Sequence, residues 1–166
     1  MPADQQFRDF PIFAKELYAP FLAISSLGAP ALTGDEAQIR DLLNEYCYCY
    51  DAGEIDRVVR LFAPDAVISN AAGIHRGAEA IRRNYVDFVA KRRFGFHFVT
   101  NVSIRVAPSA DEAIAASYLL TLNVTNDGRS TFVAGTYVDR LARTTDGWRI
   151  SERRITGDIR TTSDQD

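Results

Sequence analysis

Apolar positions along the chain follow two periods, and the change falls near residue 94. Ile39, Leu42, Leu43, Tyr46, Cys47 and Tyr50 recur three or four apart and make one stripe, which predicts an amphipathic helix. "TGDE" at residues 33–36 supplies its start: Thr33 caps and Glu36 reaches back, a capping box. Gly53 supplies the stop. "EIDRVVRLF" predicts a short second helix closed by Pro64, and "DAVIS" a short strand. "GAEAIRRNYVDFVAKRR" predicts a third helix with Ile81, Tyr85, Phe88 and Val89 on one side and its Arg and Lys cluster on a solvated face.

Beyond residue 94 the period falls to two. "FGFHFVTNVSIRV", "AIAASYLLTLNV", "STFVAGTYVDRLAR" and "GWRISERRI" read as four long strands. "APSADE", "TNDGR" and "TTDG" are the turns between them, with Asn, Asp and Gly where hairpins need them. Three helices followed by a four-strand antiparallel meander indicate an α+β fold. A strongly bent sheet wrapped around the first helices makes it a cone with an internal pocket. Residues 1–34 then form an extension, 35–160 the domain and 161–166 a disordered tail. Phe7, Phe10, Phe13, Tyr18 and Phe21 make the extension too apolar for a free tail, so it packs on the domain or on a partner subunit.

Composition narrows the function classes. The 166 residues fit one domain with an ordinary soluble make-up, 46% hydrophobic and 25% charged. A net charge of −3 argues against nucleic acid as a partner. No stretch is long and apolar enough to span a bilayer. Residues 17–32 come nearest to a signal-peptide core, but two prolines interrupt them and the residues before them lack basic character, so the expected location is the cytoplasm. Cys47 and Cys49 are too few for a zinc site and point to different helix faces, which suits small core-filling thiols in a reducing compartment.

The candidate chemistry is sparse. There are two histidines. His75 lies in "NAAGIHRG", read as an exposed loop, and His97 lies inside an apolar strand. Asp51 follows a run of aromatics and cysteines that reads as buried helix, where an unpaired carboxylate is unfavourable. In an α+β cone the end of the first helix and the first long strand can face one cavity. A carboxylate bonded to one ring nitrogen of His97 would fix the tautomer and leave the other nitrogen to move a proton. Tyr46 and Tyr50 precede Asp51 by five residues and one, and either phenol could hold a substrate oxygen. Phe62, Phe96, Phe98, Tyr118, Leu120, Phe132 and Trp148 are the available apolar lining. No Gly-rich phosphate motif and no metal-ligand spacing is present, so neither cofactor nor metal is expected.

One feature of the pattern opposes this site. In "FGFHFVTNVSIRV" the even positions from Phe94 to Val106 are the apolar set, and His97 shares its parity with Asn101 and Arg105. In a regular strand with one wet face, His97 would point to water. A site at His97 therefore requires that the strand curve or bulge, or that both faces be covered.

In order and spacing, "IRDLLNEYCYCYDAGEIDRVVRLFAPDAVI", "GAEAIR", "FHFVTNVSIRV", "ASYLLTL" and "GTYVDRLARTTDGWRISERRI" resemble the SnoaL-like group of the nuclear-transport-factor-2-like cone superfamily. The chain looks most like scytalone dehydratase, bile-acid dehydratases and related dehydrochlorinases, cyclases and isomerases. That resemblance implies a cofactor-free lyase or isomerase whose Asp–His pair, Asp51 and His97 here, removes a proton beside a carbonyl of a small, cyclic, mostly apolar molecule. It places the helix tyrosine at Tyr46 or Tyr50 and a pocket arginine at Arg154, and it implies a homodimer formed through the outer sheet face. Non-catalytic binding proteins and accessory subunits share the fold and are the alternative. The chain departs from scytalone dehydratase where that enzyme has a second pocket histidine, since Ser117 and Tyr118 stand there, and where it has an asparagine, near Val138.

Overall fold

A computed structural model describes residues 34–163. The predicted first helix is α1, Asp35–Asp51, and its apolar stripe is buried throughout. The start differs from expectation: Gly34 holds the N-cap position without a side-chain cap, and Thr33 lies outside the described residues. The stop is a Schellman motif. Gly53, at φ 74°, donates its N–H to the Tyr50 carbonyl, and Glu54 donates to the Cys49 carbonyl. That closure makes Asp51 the last helical residue and fixes where its side chain leaves the helix.

The short helix α2, Ile55–Arg60, ends before Phe62, which instead opens β1, Phe62–Asn70. Pro64 sits in an irregular stretch of β1, between its paired residues Phe62 and Val67. "GIHR" is not a loop: β2, Gly73–Arg76, pairs antiparallel with β1. Helix α3, Gly77–Val89, is shorter than predicted and buries Ile81 and Tyr85 but leaves Phe88 exposed. The meander follows as β3 (Arg92–Val106), β4 (Glu112–Thr125), β5 (Ser130–Thr144) and β6 (Gly147–Ile155). A fifth strand, β7 (Ile159–Ser163), pairs with the first half of β5, so residues 161–163 belong to the sheet rather than to a tail.

The sheet runs β2-β1-β6-β5-β4-β3, with β1 parallel to β6 and the other pairs antiparallel. It is curved and unclosed, and β3 is an edge strand packed against α1. The core lies between its inner face and the helices. Tyr46, Tyr50, Phe62, Tyr85 and Tyr137 form an aromatic cluster there, with ring centroids 5.2–6.2 Å apart.

Three bulges decide which side chains face inward. In β3 the register slips between Thr100 and Ser103, so that Asn101 and Val102 together oppose one residue of β4. Asn101 takes φ 54°, a left-handed conformation that asparagine tolerates better than most residues. Before the bulge the inner positions are Gly95, His97 and Val99, and after it they are Ile104 and Val106. A second slip, between Arg92 and Phe94, turns Arg92 inward. In β6 an extra residue between Ile150 and Glu152 moves the inner face from Trp148 and Ile150 to Arg153 and Ile155.

Candidate active site

The bulge in β3 removes the conflict between His97 and its strand. Phe94, Phe96 and Phe98 turn to the outer face, and His97 turns in towards the end of α1. Asp51 Oδ1 lies 2.5 Å from His97 Nδ1, and Asp51 Oδ2 accepts the His97 backbone N–H at 2.8 Å. Both side chains are buried, 5% exposed for Asp51 and 8% for His97. An ionised carboxylate beside Nδ1 holds the proton on that nitrogen, which leaves the Nε2 lone pair free. The Tyr50 ring meets the imidazole edge to face at 4.7 Å and restricts its rotation.

Arg92 completes the surround of Asp51. Its Nη1 is 3.4 Å from Asp51 Oδ1, its Nη2 donates to the Tyr50 and Asp51 carbonyls, and the guanidinium lies 4.6 Å over the Tyr50 ring. A carboxylate at a helix C-terminus faces the negative end of the dipole, and Arg92 supplies the opposing charge. This residue was read from sequence as part of a solvated basic cluster. Its inward turn depends on the bulge at residue 93, which strand periodicity does not signal.

A second buried pair sits deeper. Arg153 Nε and Nη2 donate to Asp139 Oδ1 and Oδ2, each at 2.7 Å, and both side chains are 1% exposed. Burial alone would lower the Arg153 pKa, but the Asp139 carboxylate and its two hydrogen bonds outweigh this and raise it well above the usual value. The guanidinium lies 4.0 Å over the Tyr46 ring and 4.3 Å over Tyr137, and its Nη1 has no hydrogen-bond partner among the described residues. The expected pocket arginine, Arg154, is exposed on the outer face, because the bulge in β6 exchanges the two neighbours.

The remaining expected residues separate. Tyr46 and Phe62 belong to the packed aromatic core, where the Tyr46 hydroxyl bonds the Tyr85 hydroxyl at 3.2 Å. Burial raises the pKa of the Tyr46 and Tyr50 phenols, so both stay protonated donors. Tyr50 is the tyrosine in contact with His97. Tyr118 is 61% exposed on the outer face, and the strand register puts Leu120 and Phe132 on that face too. Trp148 is buried, and its Nε1 donates to Asp35 at the far end of α1. His75 is a strand residue with a buried, unpartnered Nε2 rather than an exposed loop residue.

A cleft of about 330 Å³ opens where α1 meets β3. Asp51, His97, Tyr48, Phe96, Phe98 and Val99 are among its lining residues, so the dyad borders a largely apolar space. Among the described residues no group of three or more His, Cys, Asp or Glu side chains could hold a metal ion, and no helix is long and apolar enough to cross a membrane.

Comparisons with known proteins agree with this architecture. Among curated proteins, the uncharacterized protein Rv2910c of Mycobacterium tuberculosis is 30% identical over 134 residues, covering 77% of this chain and 88% of its own length. A candidate aromatic ring hydroxylase from Novosphingobium aromaticivorans is 25% identical with a TM-score of 0.73, over 78% of this chain and 93% of that one. A candidate scytalone dehydratase from the same species is 20% identical with a TM-score of 0.70, over 77% of this chain and 87% of that one. A hexachlorocyclohexane dehydrochlorinase, LinA type 2, is 20% identical with a TM-score of 0.71, over 78% of this chain and 88% of that one. The last two likenesses are of fold. The match that decides membership spans residues 32–154, and by it the chain belongs to the SnoaL-like domain family.

Proposed function

We propose that the protein is a cofactor-independent lyase or isomerase that uses His97 and Asp51 to move a proton next to a carbonyl. The observation that carries the reading is the 2.5 Å contact between Asp51 Oδ1 and His97 Nδ1 on the wall of an apolar cleft. Nε2 takes a proton from the carbon beside a carbonyl, and the electron pair left behind forms the double bond of an enolate. Asp51 stabilises the imidazolium so formed. The Tyr50 phenol, kept protonated by burial and in ring contact with His97, is assigned as the donor to the developing oxyanion. The imidazolium then returns its proton, either to another carbon, giving an isomer, or to a departing hydroxyl, giving water and an alkene.

The charges inside the cone favour an uncharged substrate. Asp51 and Arg92 offset one another, as do Asp139 and Arg153, so no net charge awaits an anion. The apolar lining by Phe96, Phe98 and Val99 suits a small cyclic compound bearing a carbonyl or hydroxyl. Relatives in fold are named for loss of water and loss of hydrogen chloride, and each such elimination takes a hydrogen from carbon as the leaving group departs. Exposed Ile114, Tyr118, Leu122 and Val138 on the outer sheet face support association into a homodimer.

The test is deuterium wash-in. A panel of cyclic ketones is incubated with the protein in D2O and followed by proton NMR. Wild type exchanges the hydrogen beside the carbonyl of at least one, and His97→Asn stops it. A fully active His97→Ala protein would sink the proposal.

A further inference from the structure

We infer that Arg92 is a positioning residue that holds the Asp51 carboxylate on Nδ1 of His97 and thereby sets which imidazole nitrogen is the base. The inference rests on the proton-transfer reading above and adds a third member to its dyad. Arg92 is 7% exposed in its side chain and reaches the site only because the bulge at residue 93 reverses its face. Its guanidinium is fixed on three sides, by the Tyr50 and Asp51 carbonyls, the Tyr50 ring and Asp51 Oδ1.

Oδ1 is the shared atom. It receives His97 Nδ1 from β3 and Arg92 Nη1 from the start of the same strand, while Oδ2 is held by the His97 backbone N–H. With all three donors in place the carboxylate has one orientation, and that orientation admits one imidazole tautomer. Without Arg92 it would be held only by His97 itself, at a helix end whose carbonyls repel it. The same guanidinium lies over one part of Tyr50, whose ring also meets His97, so Arg92 orders both neighbours of the imidazole. Lysine could supply the charge but not the planar fork that spans two carbonyls and a carboxylate.

The experiment reads the tautomer directly, in protein labelled with ¹⁵N on histidine and carrying His75→Asn, so that His97 is the only imidazole. Wild-type Arg92 should give a single His97 tautomer with the proton on Nδ1 and a resolved downfield Nδ1–H signal. Arg92→Met should give mixed tautomers, a lost downfield signal and a roughly 10–100-fold lower kcat with KM little changed. Arg92→Lys should lie between the two, and guanidinium ion should partly restore Arg92→Ala. If Arg92→Met lowers only the melting temperature and keeps one tautomer, Arg92 is a helix cap and the inference fails. If Arg92→Met does not fold, Arg92→Lys decides on the same signal. The tautomer needs no substrate, so it stands or falls apart from the His97→Asn exchange test.

Discussion

Two buried carboxylates each meet a nitrogen partner carried by the inner face of one sheet, and the two contacts differ in kind. Asp139 and Arg153 meet through two parallel hydrogen bonds, sealed between the Tyr46 and Tyr137 rings. The guanidinium cannot give up its proton, and among the described residues Asp139 makes no other ion pair. Asp51 and His97 meet through one ring nitrogen, beside a cleft, with the other nitrogen left over. The first pair is a fixed dipole in the core. The second has a vacant lone pair where a ligand could reach it. Both carboxylates are buried, so burial alone does not mark the pair proposed as reactive. Asymmetry and access do.

The largest effect that would break this comparison is on rate. Asp51→Asn keeps the shape of the side chain but removes the charge that holds the proton on Nδ1. Deuterium exchange at the carbon beside the carbonyl should fall by about 10³-fold or more, with the fold retained because Arg92 keeps the Tyr50 and Asp51 carbonyls. Unchanged exchange in Asp51→Asn would show that the two pairs do not differ in kind. Next comes stability. Arg153→Met leaves Asp139 buried without its partner and should cost about 3–5 kcal/mol in a denaturant titration. Adding Asp139→Leu should recover most of that loss, because an apolar pair leaves no charge to desolvate.

How much of this could be read in the chain follows from the same residues. Helix α1 was legible because six apolar positions and a terminal glycine agree, and β3 to β6 were legible because alternation and turn chemistry agree. Asp51 and His97 were named because polar residues stood where the pattern was apolar. The two buried arginines, Arg92 beside the dyad and Arg153 in the core, were missed or misplaced, and in both cases at a bulge. Alternation carried through β6 puts Arg154 beside Ile150 on the inner face, and one extra residue puts Arg153 there instead. The slip at the start of β3 similarly hides Arg92 in a basic run. A bulge changes facing without changing composition, so it leaves little trace in periodicity. Asn101 is a partial exception, as a residue tolerant of positive φ within a strand pattern.

That residue gives the next prediction. Asn101→Gly should be neutral to within about 0.5 kcal/mol, since glycine adopts φ 54° freely, whereas Asn101→Val should cost about 1–3 kcal/mol. Deleting Asn101 removes the one extra residue of the slip, so His97, Val99, Ile104 and Val106 fall on one face of a regular strand and His97 should stay turned inward. A retained His97 Nδ1–H signal in a folded deletion variant would identify the bulge as the device that reconciles the two halves of the strand, and its loss would overturn that account.

The smallest effect separates the dyad from its own surroundings. Cys47 also borders the cleft, one helical turn before Asp51, yet burial and the nearby Asp51 and Asp139 carboxylates, only partly offset by Arg153, push its thiol up to about 12. A thiol that titrates near 9 when unfolded and near 12 when folded keeps its proton longer in the native state. Between those values the folded state binds more protons, so stability is fully present below pH 9 and declines as pH rises towards 12. The decline is at most about 1.4 kcal/mol per pH unit from this group. Cys47→Ala should flatten it in denaturant titrations at pH 8 and 10. In the native protein Cys47 should resist iodoacetamide at pH 8, while His97 Nε2, across the same cleft, remains the site of proton transfer. Rapid alkylation of Cys47 at that pH would mean that the cleft carries a second reactive group, and the contrast between one working pair and a passive wall would have to be redrawn.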